Sequence, residues 1–398
     1  MLSERAKRLK PSPTLALNAR AQELAKTGRD VVSLAVGEPD WDTFDNIKKA
    51  AHQALDAGMT KYTPSAGIAD LRAAVVERLK VDLDLAYEPN QCMIGIGAKQ
   101  TIFNALQVLC NPGDEVIVPA PYWVSYPSMI ELADAKPVIP SCPKEVGFKL
   151  TPELLKPCLT AKTKVLILNS PNNPTGAVYS AQELKNLAAV LERTAVWIIS
   201  DDIYDKMIFD GSSIAPHIAQ QSEKLRPQVL LANSVSKTYS MTGWRIGSLV
   251  GDKRVIDACV NYQSQSASCA VAFAQKGAVE ALRGPQKEVT RVMKELGQRR
   301  EKVLAWLNEI PGIDVPIPMG AFYVFVGISS FIGKRLPDGQ IINDSAQFAA
   351  SLLEKEGVAV VPGVEFGFEG YFRMSYTVSS ARLSEAMGRL KKFVSTLS

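Results

Sequence analysis

Histidine is nearly absent from this 398-residue chain, which holds only His52 and His217. A zinc site built on several imidazoles, or a Ser-His-Asp engine, would have to rest on one of those two. Neither is placed for it: His52 lies in an Ala-rich helical stretch, and His217 follows Pro216 in a turn-like segment. The six cysteines, Cys92, Cys110, Cys142, Cys158, Cys259 and Cys269, lack any C-x-x-C spacing and sit mostly among apolar neighbours, as reduced core thiols do. Long apolar runs are missing too. The uncharged stretches 116–130 and 165–182 are broken by Pro, Gly or Asn and cannot span a bilayer, so no membrane partner is expected. The opening MLSERAKRLKPSP is charged and lacks an apolar core, unlike a signal peptide, so the expected setting is cytoplasmic. An excess of one charge sign is also lacking: 45 Lys and Arg stand against 41 Asp and Glu, and the basic residues are scattered, so no nucleic-acid partner is expected.

What is present is an ordinary globular composition, 46% hydrophobic and 22% charged, over a length that suits two or three domains. From about 90 to 250, short β-branched runs alternate with helical patterns: CMIGI (92–96), EVIVPA (115–120), KVLILN (164–169), AVWIIS (195–200), VLLA (229–232) and RIGSLV (245–250). That alternation predicts an α/β unit, a mainly parallel sheet with helices on both faces. A helical period runs over 288–310. Beyond Pro311 and Gly312 come AFYVFV, a helix near 345–356, VAVV, YFRMSY and a final helix, a smaller α+β unit.

Three short motifs are decoys. Gly95-Ile96-Gly97-Ala98-Lys99-Gln100 follows a strand and opens a helix, but Gln100 stands where a dinucleotide fingerprint needs its third glycine. The Gly-rich turn into a helix N-terminus still offers amides to a phosphate. Ser234-Val235-Ser236-Lys237 matches S-x-x-K, yet the K-T-G at 26–28 precedes it instead of following, and S-D-N is missing. No P-loop occurs.

Open α/β sheets bind ligands at the carboxyl ends of their strands. Here those ends carry Gly97-Ala98-Lys99, Ser170-Pro171-Asn172-Asn173-Pro174-Thr175-Gly176, Asp201-Asp202-Ile203-Tyr204, and Ser234-Val235-Ser236-Lys237 with Arg245 eight residues on. Together they describe a pyridoxal phosphate site. The aldehyde needs a lysine for a Schiff base, the ring nitrogen a carboxylate, the ring oxygen hydrogen-bond donors, and the phosphate Ser, Arg and a helix N-terminus.

With these motifs the chain resembles the class I (fold type I) pyridoxal-phosphate-dependent aminotransferases, specifically the aspartate aminotransferase subgroup that reads the distal carboxylate with Lys and Thr. The resemblance runs through KPSPTLALNA (10–19), GEPDWDT (37–43), KYTPSAGIADLR (61–72), PYWVSYP (121–127), SPNNPTG (170–176), SDDIYD (200–205), SVSKTYSMTGWRIG (234–247) and FRMSY (372–376). It implies a large cofactor domain around a seven-stranded sheet over 46–290, and a smaller domain formed by 1–45 with 291–398. It implies that Lys237 carries the cofactor and then shuttles a proton between substrate Cα and cofactor C4′, for which its amine must fall from about 10.4 to roughly 7 or 8, with the cationic surroundings and Arg245 as the cause. Asp201 would pair with the pyridine nitrogen, Tyr204 and Asn173 with the ring oxygen, and Trp123 would stack on the ring. The Ala98 and Lys99 amides, Ser234, Ser236 and Arg245 would surround the phosphate, with Tyr62 arriving from the other subunit of a homodimer. Arg373, helped by Asn173 and the backbone of Gly37, would hold the substrate α-carboxylate, and Lys99 with Thr14 the distal one.

The implied reaction exchanges amino groups between aspartate and 2-oxoglutarate, small amino and oxo acids. Prephenate/arogenate or a broader donor range, and a lyase on the same scaffold, are the alternatives. A binding protein without turnover and a nicotinamide dehydrogenase rank behind them. Taken singly, Asp201 reads as a helix cap, Trp123 and Tyr204 as core aromatics, and Lys237, Arg245 and Arg373 as surface charges. Their co-occurrence carries the argument. Trp41 and Phe44 stand where the resemblance expects Phe and Pro; they either reshape the mouth or repack.

Overall fold

The computed structural model describes residues 2–9 and 13–398. In chain order its strands are β1 (Val32–Ser33), β2 (Cys92–Gly95), β3 (Glu115–Ile117), β4 (Lys136–Val138), β5 (Thr163–Asn169), β6 (Trp197–Asp201), β7 (Val229–Ser234), β8 (Gly247–Val250), β9 (Tyr323–Gly327), β10 (Val358–Ala359), β11 (Val361–Pro362) and β12 (Tyr371–Ser375). A seven-stranded sheet has the order β2-β8-β7-β6-β5-β3-β4. Only β8 runs against its neighbours, so the other six strands deliver their carboxyl ends to one edge. This is the α/β architecture expected from the alternating runs. The unread strand is β4, three residues at the sheet edge with Pro137 in its middle, where a missing N–H costs the ladder least.

The strands are apolar because both faces are covered. One face packs Ile117, Leu166, Leu168, Ile198 and Leu231 with Leu184, Leu187 and Leu191 of the helix Ala181–Leu191. The other packs Val116, Val165, Ile167, Ile199 and Leu230 with Ile102, Ala105 and Leu106 of the helix Ala98–Leu109. The start of the helix Ala181–Leu191 is fixed by a capping box, in which Ser180 and Glu183 exchange side-chain to backbone bonds.

The C-terminal part builds a three-stranded antiparallel sheet, β11-β12-β9, while β10 pairs in parallel with β1 near the N-terminus. VAVV is thus divided between two sheets. The helices Ser345–Glu356 and Ser380–Ser395 and the long helix Lys287–Asn308 supply Phe348, Leu352, Leu390, Phe393, Leu296 and Val303 to a separate apolar cluster. The expected division at 290/291 falls within the first turn of Lys287–Asn308. Trp41 packs against both this cluster and the large-sheet cluster, and Phe44 is buried in the latter. Among the described residues no helix is long and apolar enough to cross a membrane, and no cluster of His, Cys, Asp or Glu is arranged to hold a metal ion.

Candidate active site

The carboxyl edge of the large sheet meets β9 and β12 around a cleft of about 840 Å³. Register brings its floor together: Asn169 at the end of β5 lies beside Asp201 at the end of β6, and Asp201 beside Ala232 of β7. The Asn169 amide donates to the Asp201 carbonyl at 2.9 Å, and its side-chain oxygen accepts from the Asn173 N–H at 2.9 Å. Asn172 Oδ1 closes the following turn by accepting from the Thr175 N–H and hydroxyl. The Asn173 side chain is left to face the cleft.

Asp201 is 2% exposed and accepts a 2.6 Å hydrogen bond on Oδ2 from the Tyr126 hydroxyl. Burial pushes its carboxyl up to about 7, against the opposing pull of that hydroxyl. Tyr126 also stands edge-on to Trp123, with centroids 5.3 Å apart, so one buried phenol orients both the carboxylate and the indole. The Tyr204 and Tyr323 hydroxyls lie 2.8 Å apart, and burial raises both phenols.

Lys237 Nζ donates to the Gly37 carbonyl at 2.5 Å. Burial brings this ammonium down to about 8; Arg373 and Arg245 push the same way, while Glu38 and Asp201 oppose. The expected fall is therefore found with a different leading cause, desolvation ahead of the neighbouring cations. Arg373, 3% exposed on the central strand of the small sheet, donates from Nη1 to Asn173 Oδ1 at 2.8 Å and from Nη2 to the Ala35 carbonyl at 2.6 Å. Its guanidinium lies 4.4 Å from the Tyr323 ring centroid. Its Nε is buried without an acceptor among the described residues, so the fork retains donors for an anion.

At the other end of the cleft the helix Ala98–Leu109 begins after Gly97, whose φ of +79° suits glycine. A Cβ at Gly97 would lie 2.5 Å from Arg245 Nη2, and one at Gly247 would lie 2.3 Å from the Ala98 nitrogen. Both glycines thus keep open an approach in which Arg245 meets the first amides of the helix. Gln100, the residue that broke the dinucleotide pattern, accepts from the Ile96 N–H at 2.5 Å and closes this turn. Arg245 donates to the Thr242 carbonyl at 2.8 Å, and the Ser236 N–H donates to Ser234 Oγ at 3.2 Å. The Lys99 side chain, exposed to solvent, carries its Nζ 4.8 Å from the Trp123 centroid; partial burial, then Arg245, lowers it.

Gly37, Lys99, Trp123, Asn173, Asp201, Tyr204, Lys237 and Arg373 therefore line one cleft, and Ala98, Ser234, Ser236 and Arg245 gather at the helix end beside it. Gly37 differs in one respect from the sequence reading: its carbonyl is engaged by Lys237. Tyr62, 92% exposed, is not in this cleft. Thr14 belongs to the helix Pro13–Lys26, but its side chain lies outside the described residues. Sequence reasoning did not single out Tyr126, Asn169 or Tyr323 as site residues. Asn169 carried a signal, a polar residue closing the apolar run KVLILN, whereas Tyr126 and Tyr323 read as core aromatics.

Residues 29–390 match the family model described as aminotransferase class I and II. The chain is 48% identical over 398 residues to an aspartate/prephenate aminotransferase of Cereibacter sphaeroides, covering 100% of this chain and 99% of the relative. It superposes on the crystal structure of the aspartate aminotransferase from Rhizobium meliloti with a TM-score of 0.97 at 40% identity, covering all of both chains. The Thermus thermophilus aspartate aminotransferase solved with maleate gives a TM-score of 0.91 at 38% identity over 99% of each chain. With the family model spanning nearly its whole length and such relatives covered end to end, the chain belongs to the class I and II aminotransferases.

Proposed function

We propose that the chain is an aspartate aminotransferase that moves the amino group of L-aspartate to 2-oxoglutarate in two half-reactions, with pyridoxal 5′-phosphate as its cofactor. The observation that carries this reading is the convergence in one cleft of a lysine lowered to about 8, a buried carboxylate and a buried arginine with donors to spare. The residues fit the cofactor. The Gly97 and Gly247 turn leaves room at a helix N-terminus for an anion beside Arg245, Ser234 and Ser236. Lys237 and Asp201 both reach the same cleft, suiting an aldehyde and a ring nitrogen, and Trp123 offers a flat face. When bound, the cofactor supplies an electron sink conjugated to the substrate Cα.

The chain's own residues do the rest. At pH 8 about half of a lysine titrating near 8 is neutral, against about 1 in 250 at the usual 10.4, so Lys237 can take the Cα proton and return it at C4′. Asp201, held by Tyr126, would pair with the ring nitrogen and favour its protonated form. Asn173 and Tyr204 would donate to the ring oxygen, and Asn173 also fixes the fork of Arg373 that would take the substrate α-carboxylate. Lys99 and Thr14 read the distal carboxylate, the subgroup assignment. It is supported by Lys99 lining the cleft, by the run Ser264-Gln265-Ser266-Ala267-Ser268 near the position where the other subgroup has an arginine, and by the dicarboxylate maleate with which the Thermus enzyme was solved. The similarity to the Cereibacter aspartate/prephenate aminotransferase favours a second reading, in which prephenate is accepted beside the aspartate couple.

The working unit is a homodimer in which Tyr62, exposed here, completes the neighbour's phosphate site. Residues 46–290 form the cofactor domain, 1–45 and 291–398 the smaller one, and the compartment is the cytoplasm. The test is the visible spectrum of the cofactor-loaded protein through separate additions of L-aspartate, L-alanine and L-arogenate. Bleaching by aspartate with one oxaloacetate released per subunit is expected. A protein that takes up no pyridoxal phosphate overturns the reading.

A further inference from the structure

One buried guanidinium outside the cleft ties together the two chain segments that meet inside it. Arg299, on the long helix Lys287–Asn308 and 6% exposed, donates from Nη1 to both oxygens of Asp40 at 2.8 and 2.9 Å. It also bonds the Thr377 carbonyl, and its Nη2 donates to Glu295 Oε1 at 2.6 Å. Its planar group lies 4.5 Å from the Trp41 ring centroid, and the Trp41 indole N–H donates to the other Glu295 oxygen at 3.2 Å. Asp40 is three residues beyond Gly37, whose carbonyl receives Lys237, and five beyond Ala35, whose carbonyl receives Arg373. Thr377 is four residues beyond Arg373 and two beyond Ser375, whose N–H donates to the Leu34 carbonyl at 2.8 Å. The segment 34–40 and the segment 373–377 are thus joined at one end by strand-like bonds and by Arg373 itself, and at the other by Arg299 alone among these contacts.

We propose that Arg299 is a positioning residue for the substrate-carboxylate end of the cleft. By holding Asp40 and Thr377 at once, it sets the distance between the Ala35–Gly37 backbone and the Arg373 fork, and Trp41 and Glu295 keep its plane fixed. A lysine cannot replace it, because a point charge with three donors does not reproduce a planar fork that reaches three acceptors in fixed directions. A small displacement of the α-carboxylate anchor weakens ligand binding before it alters proton transfer by Lys237, whose backbone lies outside both tied segments although its amine meets the Gly37 carbonyl.

The inference rests on the reading of Arg373 as the carboxylate anchor, and the test separates the two. Arg299→Lys, Arg373→Lys and the double variant are prepared as loaded enzymes. Maleate binding is measured by calorimetry, KM and kcat are measured for L-aspartate, and Asp40→Asn serves as a milder second probe should Arg299→Lys not fold. Expected for Arg299→Lys is a roughly 10-fold weaker maleate affinity and a similar rise in KM, with kcat held within about twofold. Asp40→Asn shows the same pattern at about half the logarithmic size. In the double variant the loss equals that of Arg373→Lys, because the two act as one unit. Unchanged affinity in Arg299→Lys or, where that variant does not fold, in Asp40→Asn, or losses that multiply in the double variant, overturn the positioning role while leaving the Arg373 reading intact. Unchanged affinity in Arg373→Lys overturns both.

Discussion

Replacing Tyr126 by Phe removes one oxygen and one hydrogen bond, the 2.6 Å donation to the buried Asp201 carboxylate. The consequence is a change in how stability depends on pH. Asp201 is pushed up to about 7 by burial, above its value of about 3.9 in an unfolded chain, so its contribution to stability is fully present below about pH 4 and is lost as pH rises through about 7. The Tyr126 hydroxyl bonds the ionised form best and limits that loss. A hydrogen bond to a charged group contributes about 1.5–3 kcal/mol against about 1 kcal/mol for the protonated one, so its removal pushes the Asp201 carboxyl further up by the difference, about 0.5–2 kcal/mol. Urea unfolding of the cofactor-free protein is the assay, with wild type and Tyr126→Phe compared at each pH from 5 to 9, so that every other titrating group cancels. The destabilisation is expected to be about 1 kcal/mol at pH 5, where both carboxyls are protonated, and to reach about 1.5–3 kcal/mol at pH 9. A difference that stays constant across the range refutes the reasoning, because it would mean that the hydroxyl does not distinguish the two charge states of Asp201.

Lys99→Ala is expected to lower kcat/KM for L-aspartate by about 10- to 100-fold and to leave L-alanine within about threefold, since the proposed partner of its ammonium is the second carboxylate that L-alanine lacks; equal losses for both donors remove Lys99 from distal recognition. Arg245→Gln should weaken pyridoxal phosphate binding by about 10- to 100-fold, read by equilibrium dialysis, because a charge-assisted contact is exchanged for a neutral one. Gly97→Ala should do the same and also cost about 1–2 kcal/mol of stability, since its Cβ would meet Arg245 Nη2 at 2.5 Å on a backbone with φ of +79°. Sedimentation at working concentration should show a dimer, and an active monomer would remove Tyr62 from the neighbour's site.

Strand positions were legible where an apolar run is short and bounded by turn residues, as in KVLILN and AVWIIS, which became β5 and β6 with little change. β4 was not, because Lys136-Pro137-Val138 has neither an apolar run nor a full set of ladder donors and is held only along one edge. The polar residues that close strands, Asp201 above all, were legible because a charge at the end of a buried run needs a reason. Tyr126 and Tyr323 show the limit: from sequence a buried phenol is an aromatic like any other, and only the fold reveals that its hydroxyl meets a carboxylate or another hydroxyl. The clasp of Trp41 on Glu295 and Arg299 lies further still from view, since the indole stands some 250 residues before that helical ion pair and nothing local in either points to the other.

The reversed direction of β8 bears on where this molecule is able to move. Because β7 ends at the cleft edge and β8 starts from it, the connection 235–246, which carries both Lys237 and Arg245, is stapled to the sheet at its two ends. Its footing has no free arm on which to swing. The Lys237 amine and the Arg245 guanidinium therefore form one stiff jaw, referenced to the centre of the sheet. Any tightening around a bound acid has to be made by the opposite jaw, the 34–40 backbone and β12, which reaches the sheet only through side chains and loops.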